Sequence, residues 1–327
     1  MSFCPVERFS LPVTLDIIIS VYNEEEVLNY LIECLNQTFT IDNCKNHGVQ
    51  KVTYIFVDDG SKDRSREILH EQFKGISQHI SIKIICLSRN FGHQAAITAG
   101  ISNSSSDLAA IVDADLQDPP ELIISMIDKW REGYEVVYAV RRNRKENLIK
   151  RFCYWLFYRI YRLLSPIDVC PDSGDFCLMS NRIVKELNNL GESIRFPRGL
   201  RSWVGFKQTG ISYDRPERKS GKTKYNFSKL YQLATDGITA MSLLPLKMAQ
   251  LVCVVYLLLS LLIILVIMLN PDNFTGSDRK FYFLLVCMLF CNSTILGCLY
   301  ILGAYVGRTY LETKRRPPFI IERIEEK

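Results

Sequence analysis

The sequence predicts an α/β protein: a domain built on a mainly parallel sheet, followed by two C-terminal membrane-spanning helices. Three observations predict it. From Thr14 onward, short apolar runs alternate with longer amphipathic ones. Polar residues gather immediately after four consecutive apolar runs. Toward the C-terminus, 246–269 and 281–306 are apolar stretches, each as long as the ~20 residues needed to cross a bilayer.

The elements follow in order. "TLDIIISV" reads as a buried strand, and "NEEEVLNYLIECLNQ" as a helix with acidic residues at its N-terminus, where the helix dipole favours them. The insert "TFTIDNCKNHGVQ" after it reads as a surface loop without a function. "KVTYIFVDDGS" is a strand ending in a turn, "KDRSREILHEQF" a helix, "SIKIICLSRN" a strand and "HQAAITAGIS" a helix. "DLAAIVDAD" is the next strand, "PPELIISMIDKWREG" a helix opening at prolines, and "YEVVYAVR" a further strand. Strands separated by helices and short loops make a parallel sheet with helices on both faces. In such sheets ligands bind at the carboxyl ends of the strands. Tyr22 and Glu24, then Asp58 to Ser61, then Arg89 and Asn90, then Asp113 and Asp115 all fall at those ends.

Beyond Arg141 the pattern changes. Residues 147–165 interleave aromatic and aliphatic side chains with Lys150, Arg151, Arg159 and Arg162, as a helix lying in a membrane interface does. A core helix with a basic edge is the alternative. Residues 227–245 read as a second amphipathic helix leading into the membrane, 246–312 as a two-helix transmembrane hairpin, and 313–327 as a tail. Lys314, Arg315 and Arg316 after the hairpin, with Lys229 and Lys247 before it, put both ends on the cytoplasmic side. Residues 1–226 then form a cytoplasmic catalytic domain. The first residues, "MSFCPVERF", lack the basic and apolar regions of a signal peptide, so none is expected.

The formal charge of +5 is mild, and the basic clusters flank the membrane-facing segments, so nucleic acid is not the expected partner. Eleven cysteines show no C-x-x-C spacing and no paired histidines, which points to reduced structural thiols. P-loop and dinucleotide fingerprints are absent, and no histidine stands in a triad; His93 reads as a helix N-terminal residue.

"DADLQDPPE" is the densest concentration of oxygen ligands. Carboxylates at i and i+2 of a strand end point the same way, so Asp113 and Asp115 are candidate ligands of one divalent cation, with Gln117 adding a neutral oxygen. Hard cations such as Mg²⁺ or Mn²⁺ take such donors together with substrate phosphates. Asp118 and Glu121 are explained equally by the N-terminus of the following helix. "RKSGKTKYN" has the composition of a basic lid over phosphates, or of a solvated loop.

"SVYNEEE", "VDDGSKD", "RNFGHQAA", "DADLQDPPE", "SGDFCLMS" and "RKSGKTKYN", in that order, resemble the family 2 glycosyltransferases of GT-A fold. Within that family the chain is most similar to the polyprenyl-phosphate glycosyltransferases, relatives of dolichol-phosphate mannose synthase whose bacterial branch glucosylates undecaprenyl phosphate. The resemblance implies that Tyr22, Glu24 and Asp58 hold the uridine with Arg89 nearby, and that Asp113, Asp115 and Gln117 hold Mg²⁺ or Mn²⁺ at the diphosphate. It implies that Asp175 sits at the sugar and acceptor, and that Arg218, Lys222, Lys224 and Tyr225 close over phosphates. "GLRSW" lacks the glutamine of the Q-x-x-R-W motif found in processive synthases, and two spans are too few for a polymer channel. A single inverting transfer is therefore expected, of glucose as first choice, from a UDP-sugar to polyprenyl phosphate. The setting implied is the cytoplasmic face of the inner membrane, in cell-envelope or lipopolysaccharide glycan modification, by a homo-oligomer such as a tetramer. A catalytically silent, nucleotide-binding membrane scaffold is the competing reading.

Overall fold

The computed structural model describes residues 12–72, 79–142, 173–192, 195–214 and 277–327, with isolated helical positions at 252, 254, 255, 258 and 262. The described elements are β1 (Val13–Val21), α1 (Leu28–Thr38), α2 (Ile41–Asn46), β2 (Val49–Asp58), α3 (Ser65–Gln72), β3 (Ile80–Leu87), α4 (His93–Ser102) and β4 (Leu108–Asp113). They continue as α5 (Leu122–Arg131), β5 (Val136–Arg142), β6 (Ser173–Ser180), α6 (Asn181–Asn189), α7 (Pro197–Trp203), β7 (Gln208–Asp214), α8 (Ser277–Thr313) and β8 (Ile321–Glu326). They divide between two compact units, one holding all the strands and α1–α7, the other holding α8.

In the first unit, eight strands form one sheet in the order β7-β5-β6-β4-β1-β2-β3-β8. Pairing is parallel between β1 and β2, β1 and β4, β2 and β3, and β5 and β7. It is antiparallel where β6 joins β4 and β5, and where β8 joins β3. The sheet is mixed but mostly parallel. Central strands covered on both faces need apolar side chains at successive positions rather than at alternate ones. That is why "DIIIS" and "AAIV" carry unbroken apolar runs: Ile17, Ile18, Ile19, Ala109 and Ala110 have no exposed surface.

Three parts of the structure differ from the sequence reading or add to it. The insert "TFTIDNCKNHGVQ" is more than a surface loop. It contains α2, capped by the Thr40 hydroxyl that accepts the Asn43 N–H, and it buries Phe39 and Cys44. The region 313–327 contains β8, a strand of the sheet, where the sequence pattern suggested only a tail. Finally, the described residues contain one helix long and apolar enough to cross a membrane, Phe290–Thr313 within α8. The first expected span, 246–269, the interfacial helix at 147–165 and the juxtamembrane helix at 227–245 lie outside the described residues, apart from the isolated positions named above.

Helix α4 packs on β1, and its buried residues include the small Ala96, Ala99 and Gly100. A Cβ at Gly100 would overlap the Ile18 Cγ2 methyl, which belongs to a stiff β-branched side chain in the middle of the sheet. Alanine would gain up to ~1 kcal/mol of helix propensity there but incur ~1–3 kcal/mol of overpacking. Gly100→Ala is therefore expected to lower the unfolding temperature; an unchanged or higher one would mean that α4 shifts freely on β1.

Candidate active site

The parallel register aligns the strand ends: Ser20 lies beside Asp113, and Val21 beside Asp58. The loops leaving those ends are tied to one another. Asn23, in the left-handed region at φ 54°, donates its N–H to Ser61 Oγ (3.1 Å), and its side-chain oxygen accepts the Lys62 N–H (2.8 Å). Asparagine is among the few residues that adopt this conformation readily. The Glu24 N–H donates to Ser65 Oγ (2.9 Å), so the loop carrying Tyr22 and Glu24 is latched to the start of α3.

The two aspartates of "DDGS" work inside the structure. Asp58 is fully buried; one carboxylate oxygen accepts the Ser61 N–H (3.0 Å), and the other lies 2.9 Å from both Nε and Nη2 of Arg66. Asp59 accepts the N–H groups of Phe91 (2.7 Å) and Gly92 (2.9 Å), holding the loop that opens α4. Burial and the neighbouring Asp58 push the Asp59 carboxyl up, and those two N–H bonds oppose the shift. Gly60, at φ +69°, comes so close to Arg89 and Asn90 that a Cβ would stand 2.7 Å from the Arg89 carbonyl carbon. Glycine is required there for both reasons. The Arg89 side chain is exposed, with its guanidinium 4.1 Å from the Phe91 ring centre.

Asp113, Asp115 and Gln117 do not lie along one strand as their alternation in "DADLQD" suggests. Strand β4 ends at Asp113, so Asp115 and Gln117 do not continue its pleat. They stand in a turn made by Leu116, whose φ of 60° is rare for a residue with a branched side chain and costs ~1–3 kcal/mol. The Gln117 N–H closes this turn on Asp115 Oδ1 (3.1 Å). Asp118, buried below it, accepts the hydroxyl of Tyr213 from β7 (2.6 Å). Among the described residues, no three His, Cys, Asp or Glu side chains make a ready-made metal cage. The local donors are Asp113, Asp115 and the Gln117 amide oxygen.

Strand β6 brings "SGDF" beside β4, and with it the buried Asp175. Arg198 from α7 grips this carboxylate with two bonds, Nε to Oδ1 at 2.7 Å and Nη2 to Oδ2 at 2.9 Å. Gln94 Nε2 donates to Oδ2 from 3.3 Å. His93, the first residue of α4, stands between two carboxylates: its Nε2 is 3.4 Å from Asp175 Oδ2 and 3.5 Å from Asp113 Oδ1. Its Nδ1 is 2.8 Å from Ser20 Oγ. Burial works against charge on His93, but the bond to Asp175 and the charges of Asp113 and Asp175 outweigh it and raise its pKa to about 9. At neutral pH it is an imidazolium. Burial raises the Asp113 carboxyl; Asp175 and Asp115 add to the rise while His93 opposes it. For Asp175, burial is overcome by Arg198 and His93, which hold the carboxyl well below the usual range.

The structure thus gathers Asp113, Asp175 and the Asp115 turn at one edge of the sheet, with Tyr22 and Glu24 on the neighbouring loop. Arg218, Lys222, Lys224 and Tyr225 lie outside the described residues. Three participants escaped the sequence reading: Arg198, Gln94 and His93 in its bridging position. The motif "RNFGHQAA" contained two of them, but their partners are 20 to 82 residues away in the chain.

The pair Asp175–Arg198 is unequal in exposure: the aspartate side chain is 3% exposed and the arginine 29%. Arg198→Ala strands a buried negative charge and is expected to cost ~3–5 kcal/mol. Asp175→Asn lets the guanidinium turn to water and should cost less. Urea midpoints of the two variants check this ordering; the reverse order would mean the arginine is the more deeply held partner.

Residues 16–187 match the family described as glycosyl transferase family 2. The chain is 43% identical to the uncharacterized glycosyltransferase YkcC of Bacillus subtilis, over 94% of this chain and 93% of that one. It is 32% identical to the prophage bactoprenol glucosyl transferase homolog of Escherichia coli, over 95% of this chain and 99% of that protein. It is also 32% identical to the bactoprenol glucosyl transferase of Shigella phage SfV, over 96% and 99%. With a match over half of its length and near full-length likeness to these proteins, the chain belongs to glycosyl transferase family 2, in the branch of the bactoprenol glucosyl transferases.

Proposed function

We propose that this glycosyltransferase moves one sugar, with glucose the first candidate, from a UDP-sugar to polyprenyl (undecaprenyl) phosphate, with inversion at the anomeric carbon. The observation that carries the reading is the buried Asp175 held by Arg198 and His93 and set against the Asp113 and Asp115 edge, at the strand ends where α/β sheets take ligands. The names of the relatives supply bactoprenol and glucose as the first acceptor and donor to test. The reaction is placed at the cytoplasmic face of the plasma membrane, anchored by α8 and by a second span at 246–269, in a cell-envelope glycan pathway. A homo-oligomer is part of the same reading.

The donor set fits a hard divalent cation. Two carboxylates and an amide oxygen stand at the turn, and the mutual repulsion of Asp113, Asp115 and Asp175 is the kind of excess charge that a cation relieves. Asp113, Asp115 and Gln117 would hold Mg²⁺ or Mn²⁺, which supplies charge neutralisation to the departing diphosphate. Arg218, Lys222, Lys224 and Tyr225 would close over the phosphates, and Tyr22, Glu24, Asp58 and Arg89 would line the nucleotide side. Asp58 is buried and anchors the Ser61 turn through its bonds to the Ser61 N–H and to Arg66, which supports this assignment.

The acceptor phosphate has a second pKa near ~6 and is largely ionised at neutral pH, so its oxygen attacks without surrendering a proton. Asp175 is suited to another task. A carboxylate clamped by a guanidinium and an imidazolium is a poor proton acceptor but a fixed negative charge, placed to orient the sugar and to stabilise its oxocarbenium-like state. His93 and Arg198 keep that charge in place.

The direct test is turnover: the purified chain with individual UDP-sugars, Mg²⁺ and polyprenyl phosphate. Formation of a glycosylated lipid phosphate from one UDP-sugar is expected; its absence across the donor panel would favour the silent scaffold. Asp115→Ala is expected to abolish transfer. The turn bond that it removes, to the Gln117 N–H, is worth ~0.5–1.5 kcal/mol, too little to unfold the domain. Wild-type activity in this variant, with Mg²⁺ still required, would refute the cation assignment. Asp175→Asn should lower the rate ~10²–10³-fold while the pH–rate profile keeps its shape, a rise with the acceptor's second ionisation and a plateau above it. Loss of that rise in the variant would instead make Asp175 the titrating base.

A further inference from the structure

Strand β8 lies outside every motif of the chain, yet it touches the nucleotide side of the site. It pairs with β3 from Lys83 opposite Glu326 to Leu87 opposite Ile321, and its ends are closed by bonds between Ser88 N–H and the Ile320 carbonyl (3.0 Å) and between Ile82 and Lys327 (2.9 and 3.0 Å). Its side chains meet α3. Glu322 Oε2 lies 3.4 Å from Arg66 Nη1, Arg323 Nη2 is 3.0 Å from His70 Nε2, and Glu325 Oε2 is 2.9 Å from His70 Nδ1.

The Glu322 contact differs from the others in what lies behind it. Arg66 is the counter-ion of the fully buried Asp58, whose second oxygen holds the Ser61 N–H. Ser61 in turn accepts from Asn23, between Tyr22 and Glu24. A guanidinium held by one partner keeps rotamer freedom; one held at both ends is fixed, and so is the carboxylate it grips.

We propose that β8 is a positioning element of the donor pocket: Glu322 sets Arg66, Arg66 sets Asp58, and Asp58 with Ser61 sets the loop that faces a nucleoside diphosphate. Affinity for the donor then depends on the strand that follows the membrane helix. The proposal rests on the UDP-sugar reading above, so its test uses UDP alone, without sugar or lipid acceptor.

The experiment is calorimetric titration of UDP, with Mg²⁺ present, into the full chain in detergent. Glu322→Gln keeps the strand ladder and removes the charge; UDP affinity is expected to fall about two- to fivefold, the range of a partly exposed ion pair. Glu326→Gln, whose partner Lys83 (3.2 Å) stands at the opposite end of β3 from Asp58, should leave UDP affinity unchanged. In turnover, Glu322→Gln should raise the KM for the donor and leave kcat and the acceptor KM as they were. Equal affinities in Glu322→Gln and the unaltered protein would overturn the proposal. Equal losses in both variants would also overturn it, because β8 would then be a staple of the sheet and nothing more. If the unaltered chain failed to bind UDP, the donor reading itself would fall, and this inference with it.

Discussion

Buried negative charge is the constraint on which the rest of this structure depends. Asp58, Asp59 and Asp175 are buried at one edge of the sheet, and Asp113 is largely so. An ionised carboxylate out of water must find compensation or give up its charge. Here each has a different partner. Arg66 answers Asp58, two backbone N–H groups answer Asp59, and Arg198 answers Asp175, with His93 shared between Asp175 and Asp113. The positions of α3, α4 and α7 are bound to this requirement, because each helix carries a donor that one of the carboxylates needs. Stability and the layout of the site are one problem in this region.

The same accounting explains why the edge is poised rather than neutral. His93 is a single cation between two carboxylates, with Asp115 standing close by in its turn. At Asp113 burial, with the charges of Asp175 and Asp115 added, drives the pKa upward against the pull of His93. On the proposed reading, a divalent cation held there would offset the repulsion that a bare diphosphate meets. Donor and metal would therefore bind more tightly together than either does alone.

How much of this was legible in the sequence follows from the range of the interactions. The parallel centre was readable because its signal is local: Ile17 to Ile19 or Ala109 to Val112 declare a strand buried on both faces within a few residues. Strand β8 was not. "IERIEE" alternates like a solvated segment, and only pairing with β3, more than 200 residues earlier, makes it a strand. The insert after α1 hid α2 for a related reason, since Phe39 and Cys44 are too sparse to show a period. In the site, the carboxylates announced themselves through residue type at the strand ends. Arg198 and the bridging role of His93 did not, because their meaning comes from the antiparallel placement of β6 next to β4, which no local pattern encodes. The Leu116 turn was misjudged for the opposite reason: a regular alternation, Asp113 to Asp115 to Gln117, suggested a pleat where the backbone had already left the strand.

The late position of β8 in the chain also orders the birth of the protein. Until residues 321–326 leave the ribosome, β3 presents a bare row of N–H and C=O groups along an apolar strand, the kind of margin on which foreign strands condense. The polypeptide that seals it is translated only after α8 has been made. The sheet is therefore finished only after the long apolar helix α8 has been made, and a chain cut short before β8 keeps an open margin that quality control can recognise.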